Sequence, residues 1–103
     1  MKYRIRVANE RDIEHLCKIR NNKQLFYHYL DLQTKRELYL VIAEYQDVIL
    51  GFGVLKLEGI LAPKLSDLFV KTDYRGNGIG SDLIKCREKL ARILSYKELF
   101  VSV

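Results

Sequence analysis

Hydrophobic and polar positions along this chain follow two periods, and the order in which these periods occur predicts the fold. Five segments have the pattern of strands: residues 3–7, 38–45, 48–57, 65–71 and 98–103. Three segments have helical spacing: one that begins at Asn9, a short one over residues 25–30 and a long one over residues 78–94. The predicted order is β-α-α-β-β-β-α-β, which indicates the α+β class.

Turn and cap residues support these elements. Asn9 can cap the first helix, with Asp12 at its third position, and the pair Gln46 and Asp47 joins two long strands as a hairpin. The long helix has one predicted apolar stripe, formed by Ile79, Leu83, Cys86, Leu90 and Leu94. Its charged residues, Arg87 among them, are expected mostly on the solvated faces.

Composition restricts the classes of protein. The chain has 103 residues, 49% hydrophobic and 30% charged, so residues 1–103 are expected to form a single globular domain. No apolar run approaches ~18 residues and no signal peptide is visible, which predicts no membrane span and a cytoplasmic protein. Cys17 and Cys86 fall on helical apolar stripes and are interpreted as reduced core thiols. The chain contains no metal-binding motif, so we expect no metal.

The net charge of +5 changes this picture little. Lys and Arg residues are scattered along the chain and no nucleic-acid-binding motif accompanies them. We therefore interpret the charge as a solvated basic surface and expect no nucleic-acid partner, although a basic rim would also attract a ligand that carries phosphates.

The strongest chemical signal is the glycine-rich turn that connects strand 65–71 to the long helix. Gly76, Gly78 and Gly80 allow close approach of the backbone and φ values that other residues rarely adopt. The helix start adds unpaired amides and the positive end of the helix dipole, so the turn predicts a phosphate or pyrophosphate site. No Lys-Ser or Lys-Thr follows Gly80, which excludes the nucleoside-triphosphate loop, and Ser81 breaks the dinucleotide pattern G-x-G-x-x-G.

A third pattern, [RQ]-x-x-G-x-[GA], fits the Arg-Gly-Asn-Gly-Ile-Gly run at residues 75–80. The run, with the preceding Asp-Leu-Phe-Val, resembles the acyl-CoA pyrophosphate loop of the GNAT superfamily of N-acetyltransferases, and within it the polyamine branch. The resemblance covers the whole chain and implies a mixed central sheet flanked by helices. It also implies acetyl-CoA as co-substrate and direct transfer of the acetyl group to a primary amine of a small molecule. The CoA-binding residues that it implies are Phe69, Val70, Arg75, Gly76, Asn77, Gly78, Ile79, Gly80 and Ser81.

Asp67 is the candidate catalytic residue. On an alternating strand it shares a face with Phe69, where a carboxylate can hold a substrate ammonium or relay its proton through water. The alternative is a structural carboxylate in a salt bridge or loop cap. Tyr27 and Tyr29 lie in the segment that forms one wall of the acceptor site in this family, so the resemblance implies that they line it.

The predicted order ends earlier than in the family, which continues with a helix and two strands that carry a tyrosine serving as general acid. We therefore expect a fragment, an unusually short member, or a chain whose partner supplies the missing wall. Two functions stay open: amine acetylation, or a CoA-binding module without turnover. The glycine turn argues against a purely structural domain. An uncovered apolar strand at residues 98–103 further predicts a homodimer.

Overall fold

The computed structural model describes residues 2–58, 64–94 and 100–101, and its elements follow the predicted order. The strands are β1 (Arg4–Val7), β2 (Leu38–Tyr45), β3 (Val48–Lys56), β4 (Lys64–Val70) and β5 (Phe100–Val101). The helices are α1 (Ile13–Cys17), α2 (Lys23–Thr34) and α3 (Ile79–Ile93), with 3-10 turns at Glu10–Asp12 and Thr72–Tyr74. The predicted α+β class is confirmed, and the bounds of β1 to β4 and α3 lie within one residue of the prediction.

The five strands form one sheet in the order β1-β2-β3-β4-β5. The first four strands are antiparallel, whereas β5 runs parallel to β4, so the sheet is mixed as predicted. Gln46 and Asp47 join β2 to β3 with φ angles of 48° and 64°, the left-handed values that a two-residue hairpin turn requires. The last strand is predicted over residues 98–103. The structure describes residues 100 and 101 of it, which form β5, and the other four lie outside the described part of the chain.

Helices cover both faces of the central strands. α1 and α2 pack on one face, in a cluster that contains Phe26, Leu40 and Phe52. α3 packs on the other face, where Ile79 and Leu83 contact residues of β2 and β3. Because both faces are covered, β2 and β3 are buried almost continuously instead of at alternate positions. Within the described residues, no helix is long and apolar enough to cross a membrane.

The first helical segment is held to the sheet edge by charged side chains. Asn9 and Asp12 form the predicted reciprocal cap, but the segment starts as a 3-10 turn and α1 already ends at Cys17. The guanidinium of Arg6 donates to the carboxylate of Asp12 at 2.7 and 2.9 Å and to that of Glu44 at 2.9 and 3.0 Å. Arg6 therefore ties β1, β2 and the 3-10 turn together.

α2 is about twice as long as residues 25–30, the predicted helix. It begins after Asn22, whose side chain accepts a hydrogen bond from the backbone N–H of Leu25 at 3.1 Å. Its last turn is fixed by Gln33, whose amide donates to the carbonyl of Ala8 at 2.9 Å and accepts from the N–H of Leu40 at 2.8 Å. Apolar periodicity does not register such polar contacts, which is why the prediction was too short.

The buried face of α3 differs from the predicted stripe. The fully buried positions are Ile79, Leu83, Arg87 and Ala91, four residues apart. Cys86 and Leu90 are half-buried and Leu94 is exposed. The expectation that Arg87 is solvated was wrong because Gly53 on β3 leaves room for it: a Cβ at Gly53 would lie 2.6 Å from the guanidinium carbon.

Candidate functional site

The glycine-rich turn passes from β4 to α3 through two left-handed residues. Gly76 has a φ of 85° and Gly78 a φ of 80°, values at which other residues are strained. A Cβ added at either position meets no described atom within 4 Å. Glycine is therefore favoured at both positions by the backbone conformation, and the space above them is open.

Gly80 has a different role from the other two glycines. It lies inside α3, and a Cβ there would make ordinary contacts of 3.8 Å with Val70 and 3.9 Å with Leu68. The expectation that Gly80 also needs a backbone conformation barred to other residues was wrong, because the helix has already begun at Ile79.

Two side chains hold the turn in place. Nε of Arg75 donates to the carbonyl of Val70 at 3.1 Å, and the amide of Asn77 donates to the carbonyl of Tyr74 at 3.1 Å. Gly78 caps α3 without a side chain, so the first amides of this helix receive no side-chain cap. They face a cavity of about 330 Å³ lined by Val70, Tyr74, Arg75, Ile79, Ser81 and the three glycines. The structure thus brings together most of the residues expected to bind CoA. Asn77 is not among the residues that line this cavity, and its side chain instead holds the backbone of the turn.

One carboxylate lies in the first turn of α3. Asp82 accepts a hydrogen bond from the hydroxyl of Tyr3 on the segment before β1. This hydrogen bond raises the pKa of Tyr3, which therefore stays a neutral donor. In the described part of the chain no group of three or more His, Cys, Asp or Glu side chains is placed to hold a metal ion.

β4 is bulged at Asp67, a feature that the sequence did not reveal. The register of β3 and β4 shifts between Phe52 and Val54, so Gly53 alone faces Asp67 and Leu68. Asp67 has a φ of 51°, in the left-handed region that Asp and Asn tolerate better than most residues. The bulge turns the carboxylate toward α2.

Asp67 and Phe69 both lie on the face covered by α2, as the alternation predicted. The hydroxyl of Tyr29 donates a hydrogen bond to the carboxylate of Asp67. The ring of Phe69 stacks on Phe52 with centroids 6.0 Å apart. Burial and the bond to Asp67 raise the pKa of Tyr29, so its hydroxyl is a donor at neutral pH. Among the described residues Asp67 has no ion pair within 4 Å, so the salt-bridge form of the structural alternative is not seen there.

Tyr27 and Tyr29, which are both expected to line the acceptor site, lie on different faces of α2. Tyr29 is 3% exposed and faces the sheet, whereas Tyr27 is 46% exposed and lies over Lys23 on the outer face of α2. Two positions on a helix differ by about 200°, so both side chains cannot point to one site. The structure therefore keeps Tyr29 near Asp67 and separates Tyr27 from it.

The edge of β4 next to β5 presents apolar side chains. Leu68 and Phe69 are 41% and 38% exposed, which is unusual for large residues in the middle of a sheet. Pairing with the described part of β5 involves Lys64 and Leu65.

Two residues that shape β4 were missed by the sequence interpretation. A Cβ on Gly51 would lie 2.6 Å from the carbonyl oxygen of Phe69, so Gly51 permits the close approach of β3 to β4. Arg87 on α3 reaches β4 from the face of the sheet opposite to α2 and donates to the carbonyl of Ser66 at 3.0 Å. The available signal was the spacing of Gly51 and Gly53 inside an otherwise bulky strand, which indicates close packing at both positions.

These features define a class: an α+β domain with an open glycine turn at the end of a bulged strand. Residues 5–103 match a family model described as "Acetyltransferase (GNAT) domain", and the chain belongs to this family. A comparison with curated proteins gave no match. The polyamine branch inferred from the loop is not confirmed by these comparisons.

Solved structures support the same fold at low sequence identity. The PaiA N-acetyltransferase of Thermoplasma acidophilum, in complex with coenzyme A, is 18% identical, with a TM-score of 0.87 over 100% of this chain and 80% of its own. AAC(6')-Iy, in complex with a bisubstrate analogue of CoA and acetylneamine, is 17% identical, with a TM-score of 0.84 over 100% and 80%. An acetyltransferase of Trypanosoma brucei is 16% identical, with a TM-score of 0.82 over 99% and 83%.

Proposed function

We propose that this protein is an acetyl-CoA-dependent N-acetyltransferase that moves the acetyl group directly to the primary amine of a small molecule. The observation that carries the proposal is the placement of two features on one strand. β4 ends in the open glycine turn and carries Asp67, three residues before Val70, on its bulge. A ligand that lies along β4 with its phosphates at the turn extends its far end toward Asp67.

The phosphate end is supported by charge and by backbone geometry. The left-handed residues Gly76 and Gly78 leave open space above the first turn of α3, where helix amides favour an anion. Arg75 is exposed and fixed through its Nε, which leaves its terminal nitrogens for a phosphate. These groups suit the pyrophosphate of CoA.

The reacting end requires a neutral amine and a polarised thioester. Asp67 can hold the ammonium form of the amine and accept its proton, either directly or through water. Tyr29 keeps the carboxylate oriented because its hydroxyl remains a donor. Backbone groups around Phe69 and Val70 are proposed to bond the pantetheine arm and the thioester oxygen, and one N–H donor to such an oxygen is worth roughly 3 kcal/mol in other enzymes.

The acceptor class follows from the charge of this site. A carboxylate favours a cationic amine, and AAC(6')-Iy, which shares this fold, is in complex with a bisubstrate analogue, CoA-S-monomethyl-acetylneamine. A polyamine-like cation, which the loop resemblance suggests, belongs to the same class. The proposal places the protein in the cytoplasm as a homodimer.

The test is an assay of thiol release from acetyl-CoA with a panel of diamines, polyamines and aminosugars, with mass spectrometry of the products. We expect one or more cationic amines to be acetylated by the wild-type protein and not by the Asp67→Asn variant. Binding of CoA without acetylation of any amine would instead support the module without turnover. Absence of CoA binding would contradict both functions.

A further inference from the structure

Arg87 is a buried charge for which the proposed reaction has no direct use. It is 1% exposed, and its hydrogen bonds go to backbone carbonyls: Nε to Leu83 at 3.1 Å, Nη1 to Val54 at 2.9 Å and to Ser66 at 3.0 Å. In the described part of the chain it has no carboxylate within 4 Å. Burial lowers the pKa of Arg87 to about 10, so the group is charged at neutral pH. An unpaired buried charge is costly, which points to a specific role.

The contacts of Arg87 lie at the bulge of β4. Val54 and Ser66 are paired across β3 and β4, and Asp67, with its left-handed backbone, follows immediately. A single nitrogen of Arg87 binds both carbonyls, so it joins the two strands where their ladder is interrupted. Gly53 makes this possible, since a Cβ there would lie between 2.6 and 2.9 Å from three guanidinium atoms.

Arg87 therefore holds the peptide group between Ser66 and Asp67 from the α3 side of the sheet. A non-glycine residue in the left-handed region persists only where its surroundings enforce it. Two groups enforce it here: Tyr29 binds the carboxylate from the α2 side, and Arg87 binds the carbonyl of Ser66 from the α3 side. Asp67 is fixed between them.

We propose that Arg87 is a positioning residue for acetyl transfer. It locks the bulge so that the carboxylate of Asp67 and the backbone of Phe69 and Val70 keep one orientation toward the thioester and the amine. This inference rests on the proposed function. It assigns to Arg87 a role in the rate of transfer that is separate from the binding of CoA, because the hydrogen bonds of Arg87 in the described part of the chain go to Leu83, Val54 and Ser66 and not to the glycine turn at residues 75–81.

The test compares Arg87→Met, which keeps the apolar stem and removes the donors, with Arg87→Lys, which keeps the charge without the planar fork. We expect Arg87→Met to lower kcat roughly tenfold to a hundredfold, as small displacements of reacting groups do. The Kd of CoA should stay within a few-fold of wild type. Arg92→Met, an exposed position on the same helix, is the matched control and should leave both quantities unchanged.

A double-mutant cycle separates positioning from general stability. If Arg87 acts through Asp67, adding Arg87→Met to Asp67→Asn costs little further kcat. Additive losses, or parallel losses of kcat, CoA affinity and Tm in Arg87→Met, would overturn the inference. Should Arg87→Met fail to fold, kcat and CoA affinity are compared in Arg87→Lys and in Gly53→Ala, whose Cβ displaces the guanidinium from β3.

A readout independent of activity distinguishes this inference from the proposed function. If the wild-type protein acetylates no amine, the proposed function fails, and backbone NMR still reports on the bulge. We expect Arg87→Lys to shift the amide resonances of Asp67 and Leu68 more than those of residues 75–81. Unchanged resonances at Asp67 and Leu68 would overturn the role of Arg87.

Discussion

The hydroxyl of Tyr29 on α2 donates a hydrogen bond to the carboxylate of Asp67, the residue at which β4 is bulged. This contact joins the helical layer to the strand that carries the glycine turn. Tyr29 is 3% exposed and packs edge to face with Phe26, so its hydroxyl has little freedom. The orientation of Asp67 is thus set by the core as well as by its own backbone.

Removal of either partner should slow acetyl transfer without affecting CoA binding. Asp67→Asn keeps a residue that tolerates the left-handed backbone but removes the proton acceptor, and we expect kcat to fall roughly a hundredfold or more. Tyr29→Phe keeps the packing and removes one hydrogen bond, which should lower kcat less and cost about 1 kcal/mol of stability. Thiol release and CoA titration measure the two effects separately.

Tyr27→Phe is the matched control for Tyr29→Phe, because Tyr27 lies two positions earlier on the outer face of the same helix. Its kcat and Tm should equal those of the wild type. A loss of kcat in Tyr27→Phe as large as in Tyr29→Phe would mean that the acceptor site lies on the outer face of α2.

The glycine turn should respond differently to alanine at two of its positions. Gly78→Ala places a Cβ at a φ of 80°, which costs roughly 1–2 kcal/mol and should weaken CoA binding about tenfold. Gly80→Ala lies in helical backbone with ordinary contacts and should bind CoA within a few-fold of wild type. Calorimetric titration of both variants checks this, and equal affinities would refute the role given to the left-handed turn.

Stability should decrease in acid because of the Arg6 cluster. Hydrogen bonds from Arg6 and Arg4 lower the pKa of Glu44 from 4.5 to about 2. The folded pKa lies below the unfolded one, so this stabilisation is complete above about pH 4.5 and is lost as pH falls toward 2. Burial raises the pKa of Asp12, but hydrogen bonds from Arg6 and from the backbone N–H of Asn9 outweigh it and bring this pKa below its usual value. Asp12 therefore also stabilises the fold less as the pH falls.

Thermal melts of Arg6→Met across this pH range test that assignment. The variant should have a lower Tm than the wild type near neutral pH, and the difference should shrink in acid as both carboxylates become protonated. Lys35→Met removes an exposed ion pair with Asp31, at 3.2 Å, and should change Tm little at any pH. A Tm difference for Arg6→Met that does not depend on pH would contradict the electrostatic explanation.

Most of the fold could be predicted because the signals are local. The positions of the strands, the hairpin at Gln46 and Asp47 and the cap at Asn9 each depend on neighbouring residues, and each is confirmed. The end of α2 could not be predicted, since it depends on Gln33 reaching across to β2. Polar contacts between distant segments do not produce a hydrophobic periodicity that could be recognised in the sequence.

The candidate site was predicted only where its residues are contiguous. The glycine turn is a single run, so its position and most of its lining could be read directly. The bulge at Asp67 depends on Gly53 and Arg87, which lie 14 residues before it and 20 residues after it. Arg87 was assigned to solvent because arginine is rarely buried, and only the missing Cβ of Gly53 explains the exception.

Calorimetric titration of the wild-type protein with CoA, and with pantetheine as the phosphate-free control, shows whether the glycine turn binds a pyrophosphate. We expect CoA to bind with one site per chain, its affinity to weaken as salt rises, and pantetheine to bind far more weakly. Equal affinities for CoA and pantetheine, or no binding of CoA, would contradict the assignment of the glycine turn as a pyrophosphate site.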